Sequence, residues 1–587
     1  MKTQTHQLTT PPSTQRPHAK RVKKLGILGI GVVIVSVLLI LDLTQQGLAW
    51  RFFWSVTGEE TPLAQMRGVV EWLGHFIRTQ PTTEPYVSIT HTDVNPYGIN
   101  TFLEQEVEPE KRERQVQMIA DAGFGWMRQQ FPWADIEIEG QGDFVDRRND
   151  VDQDGIIDEI SAWEKYDQIV ALAEQYGLQI QVRLDNPPAW SRSNPDAGSF
   201  APPDDFQDFV NYAVAVAERY QGRLYYYQVW NEPNIYPEWG EQSVSPEAYT
   251  ELLCRTYDAL KAVDPNIVVI TGALAPTISL TGRDLNDFIF LERMYAAGAS
   301  RCFDVLSVQG YGLNSGPTDR RMRPTTVNFS RNLYIRDLMV ANGDEHKSIW
   351  ISEAAWNPID APEVPSDVQN RENYGVVTPE QASRYMPLAY QRAQEEWPWI
   401  GVMHYWFFKR AGDSEQNQSW YYFRMVEPDF TPLPIYDTLR EYITSSTPTL
   451  YRGVHQETDW AVNYPDDAEI ILTDDALTGT AVTTQVQFTA QGTGLQIRWL
   501  GESPLQVVIN GEESRAVTGS QDWQTSTLNQ SILAETMQVE ITSDSPFTLD
   551  SITVYDTTTQ WYELVGMVAL AGVIVVSLGL LWWVTRR

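Results

Sequence analysis

The chain has 587 residues, more than one hydrophobic core usually organises, so at least two folded units are expected. Its formal charge is −34; the first 24 residues and the last two hold eight Lys/Arg and no acidic residue, which leaves −42 on the part between. So acidic a body excludes nucleic acid and anionic surfaces as partners and favours a neutral or cationic polymer.

In chain order, residues 1–24 are a basic tail and Leu25 to Leu41 is an uncharged run of 17 residues, long enough to span a bilayer. A second run, Leu564 to Val584, is followed by Arg586 and Arg587. With cationic residues at the outer end of both runs, the positive-inside rule places both termini in the cytoplasm and the body between two transmembrane helices outside it. A cleaved signal peptide is the alternative for the first run, but Asp42-Leu43-Thr44-Gln45 offers no small-x-small cleavage site, which favours an uncleaved anchor. Cys254 and Cys302 are the only cysteines. An extracytoplasmic compartment permits a disulfide between them, although two buried thiols are the reading preferred from sequence.

Residues 42–85 form a juxtamembrane segment. There Leu63, Met66, Val70, Leu73 and Ile77 recur at helical spacing, which predicts an amphipathic helix that lies beside the membrane or packs on the next domain. Over residues 86–447 short apolar runs alternate with helical patterns, with strands expected to start near Tyr97, Phe124, Gln179, Leu224, Ile267, Val305, Ile349 and Val402. Helix starts carry Ser161 with Glu164 as a capping box, and Ser245-Pro246 and Thr378-Pro379 as N-cap plus first-turn proline. Eight alternations predict an α/β fold of the (β/α)8 TIM-barrel type; an open doubly wound sheet shows the same periodicity. Residues 448–557 change to period-two alternation with a hairpin signal at Asn510-Gly511, which predicts an all-β sandwich. Residues 564–584 form the second transmembrane helix.

Two glutamates stand at strand ends in the barrel. Glu232 ends Leu224-Tyr-Tyr-Tyr-Gln-Val-Trp-Asn-Glu232 and is fixed by Pro233; Glu353 follows the apolar run of Ser348-Ile-Trp-Ile-Ser-Glu353. Strand four and strand seven of a barrel bring such residues to one mouth. Two carboxyls held there suit glycoside hydrolysis with retention, in which one donates and then accepts a proton and the other is the nucleophile.

On these residues the chain resembles clan A of the glycoside hydrolases, most closely families 5 and 39. The resemblance implies that Asn231-Glu232 carries the acid/base and that Glu353 is the nucleophile. It further implies that Arg128, in Gly123-Phe-Gly-Trp-Met-Arg128, supports the nucleophile, that Tyr311 hydrogen-bonds it, and that Trp406 floors the sugar site. One departure is Gln309-Gly310-Tyr311, where the clan often has His-x-Tyr. Trp133, Trp190, Trp239 and Trp356 are candidates to stack on pyranose faces. The expected substrate is a polysaccharide or oligosaccharide outside the cytoplasm, near the cell surface, and the reaction needs no metal or organic cofactor. Transfer to an acceptor sugar by the same site is an alternative, as is a non-catalytic glycan-binding surface protein on a retained barrel.

Two further patterns are secondary. Asp150, Asp152, Asp154 and Asp158 have the oxygen spacing of a calcium loop, with Ser161 where the bidentate glutamate would stand, so a structural Ca²⁺ is one reading and a solvated acidic turn the other. The C-terminal β region resembles galactose-binding-like jelly rolls, which implies either glycan binding or a passive spacer.

Overall fold

The computed structural model describes residues 33–148, 157–472, 479–558 and 561–585. Its centre is a closed barrel of eight parallel strands. These are β1 (Tyr97–Thr101), β2 (Trp126–Pro132), β3 (Gln179–Asp185), β4 (Tyr226–Asn231), β5 (Val268–Ala273), β6 (Val305–Gln309), β7 (Ser348–Ala354) and β8 (Ile400–Tyr405). Pairing of β1 with β8, Ile99 opposite Tyr405, closes the ring. The expectation of a closed barrel therefore stands, and the open sheet does not.

The strands alternate because their two faces meet different surroundings. Outward residues such as Met127, Val182, Val229, Leu306 and Ile351 are buried in the main core beneath the helices. Inward residues form three layers. An apolar plug of Trp126, Val268, Ile270, Val305, Trp350 and Val402 closes the N-terminal end. Above it Gln181 donates to Gln228 Oε1 (2.8 Å) and to Ser352 Oγ (3.2 Å), with Ser307 and Ser352 hydroxyls 2.6 Å apart. The charged residues Arg128 and Glu353 lie over this polar layer, so the interior becomes more polar toward the mouth.

The proline-led helix starts form as expected at two places. The Ser245 hydroxyl accepts from Ala248 N, and Thr378 with Gln381 makes a complete capping box. The box expected from Ser161 and Glu164 is not made. Ser161 instead pairs across a short ribbon with Val145, and the helix begins at Glu164 without a side-chain cap. Its carboxylate-bearing loop partners Asp150, Asp152 and Asp154 lie outside the described residues, and among the described residues no group of three or more His, Cys, Asp or Glu is placed to hold a metal.

Cys254 and Cys302 are joined in a disulfide, with Cα atoms 4.7 Å apart. This corrects the reading of two free thiols: the helix Pro246–Val263 and the short turn Ala299–Cys302 are neighbours in space, which a 48-residue separation in sequence does not reveal. Cys254→Ser is expected to lower stability by about 2–4 kcal/mol through the freed loop. Denaturant unfolding of the variant and of the reduced wild type should give the same loss.

The C-terminal β region is a seven-stranded antiparallel sheet. Its longest strands, Thr480–Gly501 and Ser520–Tyr555, bend so that Leu495, Ile497 and Trp499 pair on both edges. The alternating residues Val486, Phe488, Leu495, Ile497, Trp499, Leu505, Val507, Met537, Val539, Ile541, Leu549, Ile552 and Val554 form its core. Asn510 and Gly511 both take positive φ (54° and 80°) in the turn between Leu505–Ile509 and Glu512–Val517, the conformation for which this dipeptide is selected.

Candidate active site

Glu353 sits near the end of β7 and is almost fully buried (4 % exposed). Its two oxygens are separately held: Oε1 accepts from Arg128 Nη1 (2.9 Å) and Oε2 from the Tyr311 hydroxyl (2.7 Å). Arg128, on β2, is buried as well and has a partner for every nitrogen. Nε donates to Gln228 Oε1 (2.7 Å), Nη1 also to Asn100 Oδ1 (2.7 Å), and Nη2 to Asn231 Oδ1 (2.8 Å). A planar guanidinium with four acceptors has little rotational freedom, so it holds Glu353 and Asn231 in one fixed frame. Burial lowers the proton affinity of Arg128 and the Glu353 charge opposes that loss.

Under this frame lies His404 of β8, which burial and then the nearby Arg128 charge lower to about 3. It is neutral at any working pH and adds no second cation below the guanidinium. Gly98 makes room for it: a Cβ there would stand 2.4 Å from the His404 ring.

Glu232 ends β4 across the mouth. Its backbone, with φ +40°, follows Trp230 at +75°, two strained positions in three residues, while the Glu232 amide donates to Ala273 O (3.0 Å). The residue is partly exposed, and Gln309 Nε2 donates to its Oε1 (3.0 Å). Its proton affinity is raised well above the usual carboxylate range, first by burial, then by the charges of Glu353 and Glu238. Environment thus separates the two carboxyls into an acid and a paired carboxylate.

Gln309 stands where a histidine is common in the resembled clan, and here it supplies a donor that never titrates. Because the bond favours the ionised form of Glu232, Gln309→Ala should raise the proton affinity of Glu232 further. The alkaline limb of kcat/KM is then expected to move to higher pH; an unmoved limb would show that the bond is not made during turnover.

The remaining expected residues divide. Asn231 is both an Arg128 acceptor and a partner of Glu238. Trp406 follows β8, partly exposed, with its ring edge-on to Phe102 at 5.5 Å. Trp190 is partly exposed after β3, its Nε1 donating to Glu137 O (2.9 Å). Trp356 is a correction: it is fully buried between Phe329 and Tyr385, with Nε1 donating to Ser315 O (2.7 Å), and has no free face for a sugar. Trp133 and Trp239 are buried too, packed on Tyr212 and on Trp230 respectively.

Several site residues escaped the sequence reading. Asn100 and Gln228 anchor Arg128, and their signal is a polar residue at an inward position of a buried strand. Glu238 is pushed up to about 7, first by burial, while Arg183 opposes the rise. Tyr374 packs on Tyr311 and Phe423 and is raised by burial and then by the charges of Glu232 and Glu353. It comes from a long loop after β7 that has no local sequence pattern.

Residues 87–287 match the model of the cellulase family (glycosyl hydrolase family 5). The match includes Glu232 and stops short of Glu353. No curated protein matches the chain. Among solved structures, a family 39 glycoside hydrolase from the gut symbiont Bacteroides cellulosilyticus WH2 is 17 % identical, covering 78 % of this chain and 83 % of that one, with a TM-score of 0.43. A family 39 β-xylosidase from Caulobacter crescentus is 14 % identical over 78 % of this chain and 98 % of its own, with a TM-score of 0.42. A family 5 enzyme from Streptomyces cattleya, solved in complex with GlcNAc, is 16 % identical over 61 % and 83 %, with a TM-score of 0.41. The family match covers the first half of the barrel, and the buried Glu353 in its cradle of Arg128 and Tyr311 lies beyond it: residues 87–287 are similar to the glycosyl hydrolases of family 5.

Proposed function

We propose that the chain is a retaining O-glycosidase working by double displacement on an extracytoplasmic glycan. The observation that carries this is the contrast between the two carboxyls: Glu353 is held by a guanidinium and a phenol, whereas Glu232 has the neutral amide of Gln309, and burial and the Glu353 charge raise its proton affinity. In the first step Glu353 attacks the anomeric carbon while Glu232 gives its proton to the leaving oxygen, breaking the glycosidic bond. In the second, Glu232, now a carboxylate stabilised by Gln309, takes a proton from water, which displaces Glu353 and returns the sugar with its original configuration. Neither step calls on a metal.

The membrane placement has separate support. An apolar helix, Trp561–Thr585, contains a stretch long enough to cross a bilayer, Tyr562–Gly579, and a helical pair, Val33–Thr44 and Leu48–Thr57, meets the same criterion when joined. Cationic residues outside both ends and the Cys254–Cys302 disulfide fit a body on the oxidising side. Tethering at both ends suits a polymer at the protein's own cell surface.

The test is reducing-end release by the full-length protein in detergent micelles, over a panel of β-linked polysaccharides and aryl glycosides, beside Glu353→Ala. Turnover that disappears in the variant supports the reading and names the sugar. Tight binding of a glycan with no release by the wild type would replace it with a binding protein.

A further inference from the structure

The segment between the first apolar helix and the barrel is a helical hairpin, Leu48–Thr57 and Pro62–Leu73, followed by the turn Gly74–Ile77. The two helices hold each other through Gln65, whose Nε2 donates to Trp50 O (3.2 Å) and Glu59 O (2.9 Å), and through Gly68, where a Cβ would stand 2.9 Å from Thr57. The hairpin is bound to the barrel by a different set of contacts. Gly316 N donates to Gly58 O (2.8 Å), Arg320 N to Val56 O (3.1 Å), and Arg321 pairs with Glu59 (2.8 Å). Its roll about its own axis is therefore fixed by the barrel.

Fixed in that roll, it turns its apolar stripe outward. Gln65, Gly68 and Trp72 are buried, while Leu63 (81 %), Met66, Val70 (71 %) and Ile77 (76 %) are exposed, together with Leu48 on the partner helix. For a water-facing helix the pattern is unusual: the apolar i, i+3, i+7 row faces out with Arg67 beside it, while Gln65 and Gly68 face in together with Trp72. An apolar helix adjoins each end of this surface. Val33–Thr44 enters the hairpin through a 68° bend. The C-terminal helix packs on the hairpin's end, where Gly566 leaves no space for a Cβ, 2.2 Å from Phe76, and where Arg320 lies over the Tyr562 ring at 4.0 Å.

We propose that Leu48, Leu63, Met66, Val70 and Ile77 form a membrane-contact surface that lies in the lipid boundary between the two spans and seats one flank of the barrel against the bilayer. The occupant is the lipid of the same membrane, because an apolar helix at each end of the hairpin brings that lipid to this face in every molecule, whereas a second copy of the chain would have to find it by collision. This inference rests on the reading of the two apolar helices as membrane spans. It adds that the enzyme does not swing freely on its tethers but presents a constant orientation to its glycan.

The experiment uses the full-length protein in phosphatidylcholine vesicles containing a phospholipid with a shallow acyl-chain diazirine, mapped by peptide mass spectrometry after illumination. Adducts are expected on Leu63, Met66, Val70 and Ile77 as well as within residues 561–585. Adducts in 561–585 with none in 63–77 would overturn the membrane-contact surface and leave the spans standing; adducts in neither would overturn both. Hydroxyl-radical oxidation of Met66 in the same vesicles gives a second readout. Protection is expected in the wild type at every protein concentration, and lost in the double variant Leu63→Asp and Val70→Asp with unchanged turnover of a soluble glycoside. Protection that grows with protein concentration and without lipid adducts would mean a dimer interface instead.

Discussion

Glu232→Gln should lose about 10²–10⁴-fold in kcat/KM toward substrates with poor leaving groups, where protonation of the leaving oxygen limits the reaction. Toward an activated aryl glycoside the first step needs no proton, so the deficit should shrink there and reappear in the hydrolysis of the glycosyl-enzyme. In Glu232→Ala the vacated space would admit azide, and azide is expected to restore turnover and to leave as a glycosyl azide of retained configuration. Glu353→Gln has no such escape: with the nucleophile gone, both kinds of substrate should be lost by on the order of 10⁴-fold or more. The leaving-group dependence of the two variants, measured side by side, assigns the roles. Equal losses on activated and unactivated substrates in Glu232→Gln would mean that Glu232 is not the proton donor.

Arg128→Ala is expected to damage both folding and activity. It would strand Glu353, Asn100, Asn231 and Gln228 in a buried layer, with the loss of one partner of a buried ion pair worth about 3–5 kcal/mol. Arg128→Lys keeps the charge but has a single nitrogen for four acceptors arranged around a fork. It should recover part of the stability while kcat stays low, because Glu353 and Asn231 are no longer held in one plane. Thermal unfolding and kcat measured on both variants check this. A lysine variant with wild-type kcat would show that the charge suffices and the fork does not matter.

Much of the barrel was legible because burial alternates along its strands. Tyr97, Gln179 and Val305 start strands where expected, and the other five starts fall within two residues of expectation. The pairing of Glu232 with Glu353 was legible for the same reason, since strand ends converge only in a closed barrel. The tryptophans were less so. Trp190 and Trp356 both follow strand ends in similar local sequence, yet Trp356 turns into the packing between Phe329 and Tyr385 and Trp190 does not. That choice is made by the course of a loop, for which there is no periodicity to read. The C-terminal strands show a related difficulty. Period-two alternation does not reveal that residues 480–501 are one strand, in which the pairing with Ser520–Tyr555 shifts register at Gly492 and Gly494, with Gly492 so close to Tyr555 O that a Cβ would stand 2.5 Å from it. The apolar row from Leu63 to Ile77 was visible in sequence, and only the structure shows that it points away from the barrel.

Once an aryl glycoside is turned over, the configuration of the first-formed sugar, followed by proton NMR before mutarotation, tests the assignment of Glu232 and Glu353 most directly. Double displacement through Glu353 predicts that the anomer released is that of the substrate. Release of the opposite anomer would contradict it, since it would require water to attack directly with Glu353 as a base.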